Sequence, residues 1–136
     1  MSAASFRYFL DTNICIGYLR GVGTLKEKVD ALMPDDIKIS SIVKAELLYG
    51  VEKSVRRDRG LWAVMRFLAP YEIVPFDDAA CSHYGAVRAD LDRKGCPIGP
   101  NDLLIASIVL SRGGVLVRGN VREFRRIEGL LVENWR

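Results

Sequence analysis

Histidine is nearly missing from this sequence: it occurs once, at His83. One imidazole cannot supply the paired histidines of a metal-free ribonuclease, nor an HExxH zinc site. His83 therefore reads as a structural residue in the middle of a helix. Cysteine is also sparse. Cys15, Cys81 and Cys96 form no CxxC pair, and an odd number of scattered thiols reads as a reduced, cytoplasmic protein. Long apolar runs are missing too: nothing reaches the roughly 18 residues of a transmembrane helix, so no membrane is expected. The opening stretch, residues 1–7, lacks the basic-then-apolar order of a secretory signal. No repeat, low-complexity tract or linker divides the chain.

What is present suits one domain over residues 1–136, with 49% hydrophobic residues to build a core. The net charge of +3 permits nucleic-acid binding without requiring it. Arginines gather in two places, Arg56, Arg57 and Arg59, then Arg118, Arg122, Arg125 and Arg126. Either cluster could be ordinary solvated surface. Phosphate contact becomes more plausible if a carboxylate site lies nearby.

Strand and helix signals alternate along the chain. Phe6 to Leu10 reads as a buried strand ending at Asp11, and Thr12 or Asn13 can cap a helix from about Ile14 to Leu19. Gly21 and Gly23 break it. Leu25, Val29, Leu32 and Met33 mark a second helix, stopped at Pro34. Ile37 to Ser40 is a strand, and Ser41 can cap a helix from Ile42 to about Lys53. Another helix covers about Asp58 to Leu68. Glu72 to Pro75 is a third strand, and Asp77 caps a helix to about Arg93. Asn101 caps a helix from Asp102 to about Ser111. Val115 to Val117 is a fourth strand, Val121 to Arg126 a helical turn, and Leu131 to Val132 a last strand. Such alternation implies an α/β fold with a parallel sheet covered on both faces.

Three acids have neighbours that do not explain them. Asp11 ends a buried strand, where ligands of open parallel sheets bind; it could instead cap the next helix. Glu46 lies on an apolar helix face, with Ile42, Val43, Tyr49 and Gly50 three and four residues away. No intrahelical ion pair serves it, so it faces a partner outside the helix or sits at a solvent boundary. Asp102 opens a helix, where simple dipole complementarity would suffice by itself. Together the three are more informative, since parallel topology can bring them to one crevice. Like charges about 4 Å apart repel by roughly 4 kcal/mol at an effective dielectric near 20. A shared pocket then needs a cation or a protonated acid. Oxygen ligands without His or Cys favour Mg²⁺ or Mn²⁺ over zinc.

At these residues the sequence resembles the PIN-domain family, in particular its VapC-type toxins. Four segments carry the likeness, in order along the chain: residues 9–16 around Asp11, 42–51 around Glu46, 97–106 around Asp102, and 119–124, Gly-Asn-Val-Arg-Glu-Phe. The resemblance implies a three-layer α/β/α sandwich around a mainly parallel sheet. It also implies Mg²⁺- or Mn²⁺-dependent endonucleolytic cleavage of RNA, often transfer or ribosomal RNA. A homodimer and a VapB-type antitoxin laid over the active-site groove belong to the same expectation. Asp11, Glu46 and Asp102 match the family's three best-defined acidic positions. At the fourth, this chain departs from the pattern. Arg118 replaces a usual Thr, Gly119 an Asn, and Asn120 stands where an acid or second Asn would be, with Glu123 nearby. Arg118 there could reach a phosphate or interfere with metal binding.

The expected mechanism is metal-assisted phosphodiester hydrolysis. Asp11 and Asp102 hold the metal, and Glu46 orients or deprotonates a water. Asn120 and Glu123 support the pocket's outer shell, Thr12 or Asn13 touches the substrate phosphate, and Arg118 and Arg122 bind RNA. Two other readings compete. In one, Asp11 attacks phosphorus directly, as in aspartyl phosphatases; that chemistry usually needs an Asp where this chain has Asn13. In the other, a decayed nuclease scaffold binds RNA or protein without cutting. Trp62, Met65 and Phe67 are expected in the core or a dimer contact, and Trp135 against the last strand. By analogy, the helix from Leu61 to Leu68 would hold the partner's tail. Cys15 lacks a basic activator and is not expected to be a nucleophile.

Overall fold

A computed structural model describes residues 7–136. Its strands are β1 (Tyr8–Leu10), β2 (Ile37–Ser40), β3 (Glu72–Val74), β4 (Val115–Arg118) and β5 (Leu131–Asn134). Its α-helices are α1 (Thr12–Leu19), α2 (Gly23–Asp30), α3 (Ser41–Lys53), α4 (Arg57–Leu68), α5 (Asp78–Arg93) and α6 (Pro100–Ser111). The strands form one sheet in the order β3-β2-β1-β4-β5, and every pairing is parallel. Helices pack on both faces. Helices α1 to α4 contact one another, and α5 packs along α6. The result is the α/β/α sandwich expected from the alternation of strand and helix signals.

The strands are short apolar runs because both faces of a parallel sheet are covered. Phe9 and Leu10 of β1, Ile37 and Ile39 of β2, and Leu116 and Val117 of β4 are all buried. Helix α6 is apolar nearly all round, and Ile105, Ala106, Ile108 and Val109 are buried with it. No helix among the described residues is long and apolar enough to cross a membrane.

Several boundaries differ from expectation, each for a local reason. Phe6 lies outside the described residues. Gly23 starts α2 rather than breaking a helix, and α2 ends at Asp30, so Leu32 and Met33 fall beyond it. Pro34 then opens a 3-10 turn over Pro34–Asp36. Ser40, not Ser41, caps α3, its hydroxyl accepting from the Val43 amide at 3.1 Å. Pro100 takes the first turn of α6 with Gly99 at the cap, two residues before the expected Asn101. The helical turn at 121–126 shrinks to a 3-10 turn at Phe124–Arg126. The expected cap at Asp77 is present, its carboxylate accepting from the Ala80 amide. Strand β4 runs one residue further than its apolar stretch, to Arg118, because β5 pairs with it to the end.

Trp62 and Met65 of α4 are exposed, so neither belongs to the core, whereas Phe67 is buried. Trp135 packs against Tyr8, ring centroids 5.3 Å apart. His83 is exposed on α5.

Gly114 is the tightest point of the sheet's entry to β4. A methyl there would lie 2.6 Å from the Phe9 ring and 2.9 Å from the Arg7 carbonyl, whereas one at Gly50 in α3 meets nothing within 4 Å. Gly114→Ala is expected to lower the unfolding free energy by about 1–3 kcal/mol. Gly50→Ala should raise it by roughly 0.5–1 kcal/mol. Urea denaturation of both variants checks the contrast; equal effects would show that the β1–β4 contact is misread.

Candidate active site

The chain builds β1, β2 and β3 outward in one direction, then crosses back to lay β4 on the other side of β1. That reversal makes a crevice beyond the carboxyl ends of β1 and β4, the place where open α/β sheets bind ligands. Leu10 pairs with Val117 in register, so the next residues, Asp11 and Arg118, emerge side by side. The Asp11 amide donates to the Val117 carbonyl at 2.9 Å and extends the ladder to the rim.

Asp11 occupies the N-cap position of α1, but its side chain makes no capping hydrogen bond. The capping explanation for this acid therefore fails. Its side chain is 8% exposed and faces the Arg118 guanidinium, Oδ2 to Nη1 at 3.4 Å. The same Nη1 lies 3.6 Å from Oδ1 of Asp102, in the first turn of α6. Glu46 projects from the middle of α3. Its Oε1 accepts a 2.6 Å hydrogen bond from the Thr12 hydroxyl, 34 residues away in sequence. That is the external partner its apolar helix face required. Among the described residues, Asp11 and Asp102 share one arginine, and Glu46 lies near enough for both to feel its charge.

Their electrostatics follow from that crowding. Burial raises the pKa of Asp11 above the usual carboxylate value; Arg118 and the Thr12 amide pull it down, and Asp102 and Glu46 push it up. Burial also raises Asp102, with Arg118 again opposing and Glu123 and Glu46 reinforcing the rise. Glu123 is thus close enough to be felt, although its side chain is exposed. Two helix N-termini, those of α1 and α6, also face these acids and favour their charge.

The remaining expected residues divide. Thr12 is in the pocket. Asn13 is exposed in the first turn of α1. Asn120 is exposed at the rim, and its Oδ1 accepts from the Arg122 amide at 3.2 Å, closing a local turn rather than joining the acids. Arg122 is exposed nearby. Arg118 is the residue whose position sequence left open. Its guanidinium carbon lies 4.4 Å from the ring centroid of buried Phe124, a cation–π contact that fixes the side chain inside the pocket. The register of β4 on β1 is the signal that would have found it. Cys15 is fully buried beneath, its thiol pKa pushed well up by burial and by Asp11, which suits packing and not nucleophilic attack.

The donor set is all oxygen, which fits a hard divalent cation. Among the described residues, however, no three acidic, histidine or cysteine side chains converge closely enough to share one ion. Asp11 and Asp102 stand instead around a guanidinium. Two carboxylates with water completing the sphere is the arrangement this chain can offer such an ion, and Mg²⁺ is commonly bound that way.

Residues 8–130 match the PIN domain family. The chain belongs to the PIN-domain family. Within it, the tRNA(fMet)-specific endonuclease VapC of Salmonella typhimurium is 42% identical over 130 residues, spanning 95% of this chain and 98% of the relative. Ribonuclease VapC2 of Rickettsia felis is 41% identical, spanning 94% and 97%. The crystal structure of VapBC2 from Rickettsia felis bound to a promoter DNA fragment superposes at a TM-score of 0.90, with 39% identity over 96% of this chain and all of that one (100%). DNA-bound VapBC from Salmonella typhimurium also gives 0.90, with 40% identity over 96% and 99%. This PIN domain is therefore aligned with VapC nucleases over nearly its full length, as its acidic segments suggested.

Because Asp11 and Asp102 hold a proton more tightly folded than unfolded, their charged forms work against folding above the shifted pKa values. That penalty fades as pH falls toward the ordinary carboxylate value of 3.8. Asp11→Asn should therefore raise the stability of the metal-free protein at pH 7, with the gain shrinking toward pH 4. Thermal unfolding across that range checks it; a variant less stable than the parent at pH 7 would show that Arg118 outweighs desolvation.

Proposed function

We propose that this chain is the endoribonuclease toxin of a VapBC-type toxin–antitoxin pair, acting in the cytoplasm on RNA with the help of Mg²⁺ or Mn²⁺. The observation that carries the reading is the gathering of Asp11, Asp102 and Glu46 near the β1–β4 switch point, where one arginine, Arg118, pairs with two of the acids and Glu46 has only the Thr12 hydroxyl. The relatives named as VapC ribonucleases support the substrate class, with tRNA the leading candidate. The solved VapBC complexes support a VapB-type antitoxin as partner.

Asp11 and Asp102 would hold the ion, directly or through water. When bound, such an ion supplies a more acidic water and offsets charge on the phosphate oxygens. Glu46 would orient or deprotonate the attacking water. The Thr12 hydroxyl fixes one of its carboxylate oxygens at 2.6 Å, leaving the other for the proton of the attacking water. Thr12 is thus a positioning residue. Glu123 adds negative charge at the rim beside Asp102. Exposed Arg122 and the surface group Arg56 and Arg59 are available to the flanking phosphates.

Water as nucleophile leaves the substrate's 2′-hydroxyl unused, so cleaved RNA should carry 5′-phosphate and 3′-hydroxyl ends. End-mapping of RNA from cells expressing the protein tests this; 2′,3′-cyclic phosphate ends would remove the mechanism. Glu46→Gln should lower the single-turnover cleavage rate by about 10²–10⁴-fold. Asp11→Asn and Asp102→Asn should abolish cleavage, and EDTA should do the same to the parent. Full activity in Asp11→Asn, with contaminating nuclease excluded, would misplace the site.

A further inference from the structure

Among the described residues, Arg118 is the cation that faces both Asp11 and Asp102, and its position is unusual in three ways. Its side chain is 15% exposed and lies within ion-pair distance of both acids read above as metal-holding, Asp11 and Asp102. Its guanidinium carbon lies 4.4 Å from the Phe124 ring centroid. Yet Nε and Nη1 are buried with no aligned hydrogen-bond partner. A guanidinium carries five donors in a rigid fork, and leaving buried donors unpaired is unfavourable. The guanidinium thus offsets part of the carboxylate charge, while its own buried donors stay without hydrogen bonds. Arg118 sits there as a counter-ion, poorly held by its donors.

We propose that Arg118 is a built-in competitor of the divalent ion: it offsets part of the charge of Asp11 and Asp102, and its guanidinium must leave for the ion to bind between them. The inference rests on the reading of those two acids as metal-holding residues. The physical reason is charge and space together. A divalent ion and a guanidinium within about 4 Å of the same two oxygens repel strongly in a half-desolvated site. The carboxylates cannot serve both. Once displaced, Arg118 lies at the rim of the nuclease crevice with its fork unpaired, and a phosphodiester satisfies that fork in the bidentate geometry guanidinium favours. The same side chain then passes from guarding the metal site to holding substrate.

The test is Mn²⁺ binding to the full chain by calorimetric titration, comparing the parent with Arg118→Gln and Arg118→Ala. Both variants should bind Mn²⁺ roughly tenfold more tightly or better. Equal or weaker binding in the variants would overturn the competition while leaving the metal site intact. No Mn²⁺ binding in any of the three would overturn it together with the metal-dependent reading. Should neither variant fold, the parent itself decides. Its Arg118 Nε–H resonance, followed by NMR as Mg²⁺ is added, should shift and begin to exchange with water. A resonance unchanged at saturating Mg²⁺ would mean the guanidinium stays, and the proposal would fall.

Discussion

The constraint that organises this molecule is the crowding of carboxylates in a partly desolvated crevice. Asp11 and Asp102, both with pKa values raised by burial, face each other across a single guanidinium. Glu46 stands beside them on a hydroxyl, and Glu123 adds charge from the rim. A fold that optimised stability alone would not keep this arrangement, because a desolvated charge without full compensation opposes folding. On the proposed function, a cation and a polyanion would supply the missing compensation.

The scaffold around it is correspondingly firm. Phe9 and Leu10 anchor β1 in the core, and the paired register of β1 and β4 leaves no freedom in where Asp11 and Arg118 emerge. Helix α3 is started by Ser40 and carries Val43, Leu47 and Val51 on its buried face, which fixes Glu46 opposite Thr12. Helix α6 is buried along most of its length and presents Asp102 from its first turn. Each acid thus comes from a different element, and each element is held by apolar contacts remote from the pocket. Positions held this way can keep charges at a separation their mutual repulsion opposes.

Most of this was readable from residue pattern. Apolar runs bounded by turn residues located the five strands within a residue or two, because a covered parallel sheet leaves little else for such runs to do. The mismatch between Glu46 and its helix neighbours correctly demanded a partner from elsewhere, and Thr12 is that partner. What pattern could not supply was side-chain competition. Capping went to Ser40 and Gly99 because the chain enters those helices one or two residues earlier than the hydroxyl and amide side chains at 41 and 101 suggested. Asn120 looked like part of the acidic group, but its amide is taken by the adjacent turn. Arg118, replacing a Thr of the family pattern, could be read either as reaching a phosphate or as interfering with metal binding. Only the pairing of β4 with β1 and the Phe124 ring reveal that it points inward.

The most direct measurement is an anomalous difference map from crystals of this protein grown with Mn²⁺. One peak between the carboxylates of Asp11 and Asp102, with the Arg118 side chain turned out of the pocket, is the expected result. Saturating Mn²⁺ that leaves the guanidinium between those acids, or that binds only elsewhere on the surface, would contradict it.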